Sequence, residues 1–266
     1  MTTATESNST TMTTTRVSKC PDCGLKFELQ EADNVSEWIR AALPDPVVYC
    51  DACAEKKSAA AARETKRFEL SQRLGTLLNK GLVTQEFRET RWESSSRDIE
   101  ARQHSVWSQG RAWWRNCRKN LFVHGPVGVG KTRLARACLH EAFENGHNVA
   151  EVTARRLCKV SDTYREGDGL YGTWKAVDVL LIDDIDKATW TLERIDALWE
   201  LMDARSSAKK RTIWTSNLDN SGVLKLFRGV GEKAGNVSHA IALVDRMKPC
   251  LTLHLSGPSN RGSDDS

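Results

Sequence analysis

A glycine-rich segment near the middle of the chain has the residue types and spacing of a phosphate-binding loop. Its letters, GPVGVGKT, occupy residues 125–132 and fit G-x-x-x-x-G-K-[ST] in full. Glycines at this spacing let backbone N–H groups turn toward phosphate oxygens, and the lysine and hydroxyl that follow can contact terminal phosphates and Mg²⁺. We therefore predict an ATP and Mg²⁺ site whose nucleotide-contacting residues are Gly125, Pro126, Val127, Gly128, Val129, Gly130, Lys131, Thr132 and Arg133.

A second group of chemically active residues follows about 50 positions later, in VLLIDDID. Four consecutive aliphatic residues are typical of a strand buried on both faces, so the acids at its end should emerge at the carboxyl edge of a sheet. We predict that Asp183 binds Mg²⁺ together with Thr132, and that Asp184 orients or deprotonates the attacking water. Asp186 is predicted to be the N-cap of the next helix.

Two cysteine pairs near the N-terminus have the spacing of a zinc ribbon. Cys20 and Cys23 form the first C-x-x-C pair, and Cys50 and Cys53 form the second after 26 intervening residues. Four thiolates can enclose Zn²⁺ tetrahedrally and leave no open position, which indicates a structural ion. The alternative is redox chemistry at a single C-x-x-C pair, and the presence of two matched pairs argues against it.

The surrounding pattern indicates the elements that must hold these residues in place. From Leu121 onward, strand-like segments (LFVHG, HNVAEVT, VDVLLID, RTIWTSN and LTLHL) alternate with helical ones. Such alternation predicts an α/β fold with a parallel five-stranded sheet. The predicted organisation is a disordered tail at 1–18, a zinc-ribbon module at 19–54, a basic helical linker at 55–85 and a nucleotide-binding domain at 86–266.

Composition narrows the class of protein further. No segment of the 266 residues approaches the length of an apolar membrane span, and the Thr/Ser-rich start has no apolar signal core, so we expect a soluble cytoplasmic protein without membrane contact. Residues 54–120 carry 15 Lys and Arg against 8 Asp and Glu. This basic stretch indicates either a surface for nucleic acid or an acidic protein, or simply a solvated helix face.

Taken in order, the motifs of residues 81–261 resemble those of the AAA+ ATPases of the bacterial helicase-loader group and their relatives, the transposition-helper ATPases. LLIDDID is similar to the Walker B box, TSN to sensor 1, ALVDRM to the arginine-finger segment and LSGPSNR to sensor 2. The resemblance implies that Asn217 holds the attacking water, that Arg246 reaches the nucleotide of a neighbouring subunit, and that Arg261 is the sensor 2 residue. The alternatives are a turn cap for Asn217, a surface salt bridge for Arg246 and a tail arginine for Arg261. At Asp184 this sequence departs from the family, where glutamate is usual.

The resemblance also implies a function. A zinc module ahead of an ATPase is similar to the layout of some helicase loaders, so we expect an ATP-dependent loader that contacts the hexameric replicative DNA helicase through the zinc module. It would bind single-stranded DNA and self-associate through its ATPase domain, inside a bacterial or phage-infected cell. The alternative is a transposase-activating ATPase that prefers duplex DNA. A small-molecule kinase is disfavoured because it would need neither the TSN motif nor an arginine supplied by a neighbour.

Overall fold

The structure, a computed structural model, describes residues 13–32, 47–92, 103–116, 120–163, 169–233, 235, 237–247 and 251–259. Arg261 and the first part of the predicted tail lie outside these ranges. The chain divides into two compact units, Met1–Ser71 and Gln72–Ser266. Each unit is described by itself below.

The first unit contains an antiparallel hairpin and the beginning of a long helix. Strands β1 (Thr13–Lys19) and β2 (Lys26–Ala32) pair antiparallel, with Lys19 opposite Lys26. The turn between them carries Cys20 and Cys23, and Gly24 allows the chain to reverse there because its φ is +74°. Helix α1 (Asp51–Asn79) begins directly after Cys50, so the second cysteine pair brackets its first turn.

The second unit is a parallel sheet covered by helices, as the alternating sequence pattern predicts. Its strands lie in the order β4-β5-β6-β3-β7, and every neighbouring pair is parallel. The strands are β3 (Leu121–His124), β4 (Val149–Thr153), β5 (Val179–Asp183), β6 (Arg211–Ser216) and β7 (Leu251–His254). The helices are α2 (Gln85–Glu89), α3 (His104–Asn116), α4 (Lys131–Glu144), α5 (Ala154–Thr163), α6 (Gly169–Ala176), α7 (Leu192–Ser207), α8 (Asn220–Lys233) and α9 (Ser238–Met247), with a 3₁₀ turn at Ile185–Lys187.

The centre of the sheet is buried on both faces, which explains why β5 is a continuous aliphatic run that ends in an acid. Every residue of β5 is buried, and α4 packs against β3, β4, β5 and β6. Side chains such as Phe122, Ile182 and Trp214 belong to a core that includes helices α5 to α9. This arrangement places the carboxyl ends of β3, β5 and β6 next to one another, where the predicted phosphate loop, acids and sensor residue follow.

A fully buried arginine links the elements at the amino-terminal edge of the sheet, opposite the predicted site. Arg205 of α7 donates hydrogen bonds to the carbonyl oxygens of Trp174 (2.7 Å) and Val177 (2.8 Å) and to the hydroxyl of Thr212 (3.0 Å). Burial lowers the pKa of this guanidinium to about 9. The side chain thereby satisfies carbonyl groups at the end of α6 and joins α7 to the loop before β5 and to the start of β6.

Among the described residues, no helix is both long enough and apolar enough to cross a membrane.

Candidate functional site

The predicted phosphate loop connects the end of β3 to the start of α4. Gly125, Gly128 and Gly130 all have positive φ angles, of 147°, 86° and 96°. A Cβ atom on Gly125 would lie 2.0 Å from the carbonyl oxygen of Leu255, and one on Gly128 would lie 2.0 Å from the hydroxyl of Ser259. Only glycine therefore fits at these two positions, and the loop ends on the N-terminus of a 14-residue helix.

Lys131 is the first residue of α4 and is nearly buried. Its ammonium group donates to the carbonyl oxygen of Pro126 at 2.6 Å and to Oδ1 of Asn217 at 2.8 Å. Burial lowers the pKa of this side chain. The structure thus brings together the predicted phosphate-contacting lysine and the predicted sensor 1 residue, which are 86 positions apart in sequence.

Thr132 and Asp183 also meet, at the carboxyl edge of the sheet. The Thr132 hydroxyl donates to Oδ1 of Asp183 at 3.0 Å, and the Thr215 hydroxyl of β6 also donates to this carboxylate. Burial raises the pKa of Asp183, which is 9% exposed. A hydroxyl and a carboxylate oxygen are the ligands that Mg²⁺ prefers, so this pair could hold the ion beside the phosphate loop.

Asp184 has an unusual backbone conformation at the end of β5. Its φ and ψ angles of 56° and 53° are left-handed, and its N–H donates to the Thr215 hydroxyl at 2.9 Å. Aspartate tolerates this region better than most residues do. Its Oδ2 accepts a hydrogen bond from the Lys187 ammonium at 2.7 Å, which leaves Oδ1 as the oxygen that could orient a water molecule.

The prediction that Asp186 caps the next helix is wrong. Thr191 is the N-cap of α7, and its hydroxyl accepts from the N–H of Arg194. Asp186 instead lies in the 3₁₀ turn and accepts hydrogen bonds from the Ser216 hydroxyl and from the backbone and side-chain N–H groups of Asn217, each at 2.8 Å. Burial raises the pKa of Asp186, but these hydrogen bonds outweigh it and keep that pKa below its ordinary value.

A signal for this contact was present in the sequence. Asp186 follows β5 and Asn217 follows β6, and the ends of adjacent parallel strands meet at one edge of a sheet. Using this signal also requires the prediction that β5 and β6 are neighbours in the sheet.

Of the two predicted nucleotide-contacting arginines, Arg246 lies within the described residues and Arg261 does not. Arg246 lies on α9, and its guanidinium pairs with Asp203 of α7 at 2.6 Å. The alternative interpretation, a surface salt bridge, predicts a contact of this kind. The contact lies within a single copy of the chain. Arg261 lies outside the described residues.

In the first unit, the four predicted zinc-ligand cysteines form one cluster. Their Sγ atoms all lie within 4.8 Å of one another, and those of Cys23 and Cys50 are 3.5 Å apart. A tetrahedral ion with Zn–S bonds of about 2.3 Å holds sulfur atoms about 3.8 Å apart, so the donor set fits zinc. The cluster could therefore hold that ion with small adjustments.

The pKa values of two thiols in this cluster are shifted in opposite directions. Burial raises the pKa of Cys20, but backbone hydrogen bonds from Cys50 and Cys23 outweigh it and lower that pKa to about 6. Side-chain hydrogen bonds with Cys23 and Cys50 raise the pKa of Cys53 to about 12. The thiolate of Cys20 is thus favoured and that of Cys53 is opposed, and a bound divalent cation would remove that opposition.

The fold and the phosphate loop define the class of this protein as a P-loop ATPase of the AAA+ type. Residues 54–263 match the family of IstB-like ATP-binding proteins. The chain belongs to this family, and the predicted AAA+ ATPase class is confirmed at the level of family and fold.

Individual relatives come from two functional groups. An insertion-sequence ATP-binding protein of Mycobacterium tuberculosis is 30% identical over 153 residues, which cover 56% of this chain and 58% of that protein. The replicative helicase loader DnaC of Escherichia coli is 29% identical over 119 residues, which cover 43% of this chain and 47% of the loader. The chain thus spans about half the length of these curated relatives.

A solved structure has the same fold. The crystal structure of DnaI aligns with a TM-score of 0.55 and 18% identity, over 66% of this chain and 98% of that one. This likeness confirms the predicted α/β fold with its five-stranded parallel sheet.

Proposed function

We propose that this protein is an ATP-dependent loader of a replicative DNA helicase in the bacterial cytoplasm. The observation that carries the proposal is the attachment of a four-cysteine module to a AAA+ unit in which Lys131, Asp183 and Asn217 meet at the phosphate loop. The family match begins at residue 54, directly after the last cysteine of the cluster. The module is therefore an addition to the family's ATPase unit, and we assign to it the contact with the helicase.

In the proposed reaction, each residue of the site has a separate role in phosphoryl transfer. Lys131 leaves Pro126 and Asn217 to contact the terminal phosphates of ATP. Thr132 and Asp183 would hold Mg²⁺, and the ion would supply positive charge that neutralises the phosphates. Asn217 holds the attacking water, and Asp184 orients it or accepts its proton. Arg246 of a neighbouring copy stabilises the transition state, so hydrolysis depends on self-association.

Helicase loading predicts a specific pattern of binding. The purified chain should form a complex with a hexameric bacterial replicative helicase that depends on ATP, and its affinity for single-stranded DNA should change with ATP and fall as salt increases. Size-exclusion chromatography with and without ATP tests the complex, and fluorescence anisotropy tests DNA binding. Absence of an ATP-sensitive complex with any hexameric helicase would overturn the proposal.

The second candidate function is activation of a transposase. It is favoured by the match to the IstB-like family and by the relative named from an insertion sequence. In that case the chain should prefer duplex DNA over single strands and should stimulate the DNA cleavage or strand transfer of a partner transposase. A direct competition between single-stranded and duplex DNA of one sequence separates the two candidates.

Removal of one thiolate tests the proposed structural zinc. We expect Cys50→Ser to lose bound zinc and the ordered hairpin of the first unit, because a module of this size depends on the metal for folding. ATP binding by the second unit should be unchanged. Metal analysis by atomic emission and titration with a fluorescent ATP analogue measure the two effects. The matched control is Cys158→Ala, which removes a buried thiol of α5 outside the cluster; full zinc content in Cys50→Ser would contradict the four-ligand site.

A further inference from the structure

Asp186 and Asn217, the predicted sensor 1 residue, form a hydrogen-bonded pair to which the proposed reaction assigns no role. We propose that Asp186 is a positioning residue that sets the orientation of the Asn217 side-chain amide, so that its oxygen and not its NH₂ group faces the phosphate site. The inference rests on the proposed ATPase reaction and adds to it a residue that acts only through Asn217.

The geometry of the pair leaves one orientation for the amide. Oδ2 of Asp186 accepts from Nδ2 of Asn217 at 2.8 Å, and Oδ1 of Asp186 accepts from the backbone N–H of Asn217, also at 2.8 Å. On the other side, Oδ1 of Asn217 accepts from the Lys131 ammonium at 2.8 Å. A carboxylate offers only acceptors and an ammonium only donors, so a flipped amide would oppose like groups on both sides.

The turn that carries Asp186 is itself held firmly. Ile185, at the start of the 3₁₀ turn, is completely buried, and its carbonyl oxygen accepts a hydrogen bond from the indole N–H of Trp190 at 2.8 Å. The Ser216 hydroxyl, at the end of β6, donates to the same carboxylate oxygen as the backbone of Asn217. The buried turn after β5 thus holds the backbone of Asp186 in place, and its carboxylate bonds to residues at the end of β6. A carboxylate held in this way can set the direction of the Asn217 amide.

The orientation decides what sensor 1 can do when ATP is bound. Once Lys131 moves to the terminal phosphates, Oδ1 of Asn217 loses its donor and becomes available to accept a hydrogen bond from a water molecule. A water that donates to this oxygen keeps both of its lone pairs and becomes more nucleophilic, whereas an NH₂ group would take up one lone pair and make the water oxygen less nucleophilic. Asp186 therefore determines whether Asn217 accepts a hydrogen bond from the water O–H or donates one to the water oxygen. No proton is transferred in this step.

Kinetics of Asp186→Ala test the assignment. We expect turnover to fall by on the order of 10², the scale of losing one oriented hydrogen-bonding group at a reacting centre, with ATP-analogue affinity within about threefold of the original. In an Asn217→Ala background, the same substitution should change turnover by less than about twofold, because the two residues act as one unit. Losses that multiply in the double variant would overturn the proposal.

Two further variants control for folding and for loss of charge. Asp186→Asn keeps the size of the side chain but replaces one acceptor by a donor, and turnover should fall by about tenfold or more, as expected for loss of a charge-assisted hydrogen bond. Asp219→Asn removes a carboxylate charge from the loop that carries Asn217, where Asp219 accepts hydrogen bonds from the Ser221 hydroxyl and the Gly222 N–H. That variant should retain its turnover. Original turnover in Asp186→Asn would contradict the proposal.

A readout that does not depend on activity separates this inference from the proposed function. The side-chain NH₂ resonances of Asn217, assigned by their absence from Asn217→Ala, should exchange slowly with solvent in the original chain and quickly in Asp186→Ala. Resonances that are unchanged in Asp186→Ala would overturn the positioning role even if no hydrolysis is detected. If instead Lys131→Ala binds ATP normally, the proposed function fails while the resonance test still stands.

Discussion

Lys131→Ala is expected to weaken ATP binding by on the order of 10² and to reduce hydrolysis by on the order of 10³ or more. Hydrogen bonds to charged partners contribute about 1.5 to 3 kcal/mol each, and the lysine of a phosphate loop reaches two phosphate groups that carry the charge of the reaction. Titration with a fluorescent ATP analogue measures the first effect, and phosphate release measures the second. Both should occur without unfolding, because the buried ammonium bonds only to Pro126 and Asn217 among the contacts described above.

The control for this prediction is another lysine of the same unit. Lys175→Ala removes a positive charge that pairs with Glu200 on the helical surface, and we expect ATP affinity and turnover to be unchanged. Equal ATP affinity in Lys131→Ala and the original chain would mean that the glycine-rich loop does not bind the terminal phosphates. A general effect of net charge would appear equally in both variants.

The sheet and its phosphate loop were predictable because their signals are local. Strands buried on both faces appear as aliphatic runs, and all five predicted segments contain the observed strands β3 to β7. The helix after the loop spans Lys131–Glu144 and begins directly after Gly130. The glycines at 125 and 128 have positive φ angles, which is a local requirement of the loop, and the close approach of Leu255 and Ser259 adds a tertiary reason for the same residue type.

Other features depend on which strands become neighbours, and the sequence does not state that. The pairing of Asp186 with Asn217 exists only because β5 lies beside β6. Arg205 appears in the sequence as one more charge on an amphipathic helix, yet it is buried and bonded to the carbonyls of Trp174 and Val177. Hydrogen-bond partners of this kind are chosen by tertiary contacts and not by local pattern.

The backbone offers a local reason for aspartate at position 184, where the resemblance to AAA+ ATPases implies glutamate. Asp184 occupies a left-handed backbone position between β5 and the 3₁₀ turn, and short polar side chains are the non-glycine residues that tolerate this region best. The residue identity therefore agrees with the backbone that the turn imposes. The carboxylate of Asp184 is one methylene shorter than that of glutamate, so in the proposed reaction the attacking water would lie closer to the end of β5.

Arg246→Ala is expected to leave ATP binding nearly unchanged and to remove most of the hydrolysis that depends on assembly. An arginine supplied in trans contributes on the order of 10³ to 10⁵ in rate by stabilising charge in the transition state. In a single copy of the chain, Arg246 pairs with Asp203 and is half exposed, so its guanidinium is accessible to a neighbour once that pair opens. Phosphate release should therefore be measured over a range of protein concentrations, because the original chain should become more active as it assembles and the variant should not.

The partner in the salt bridge supplies the decisive control. If Arg246 is only one half of a surface ion pair, Asp203→Ala and Arg246→Ala break the same contact and should have the same small effect on stability and turnover. If Arg246 acts on a neighbouring nucleotide, Asp203→Ala frees the guanidinium, and assembly-dependent turnover should be retained or increased while Arg246→Ala abolishes it. Equal loss of ATP binding and hydrolysis in Arg246→Ala would contradict the trans role, since a residue that acts only in the transition state affects turnover without weakening ground-state binding.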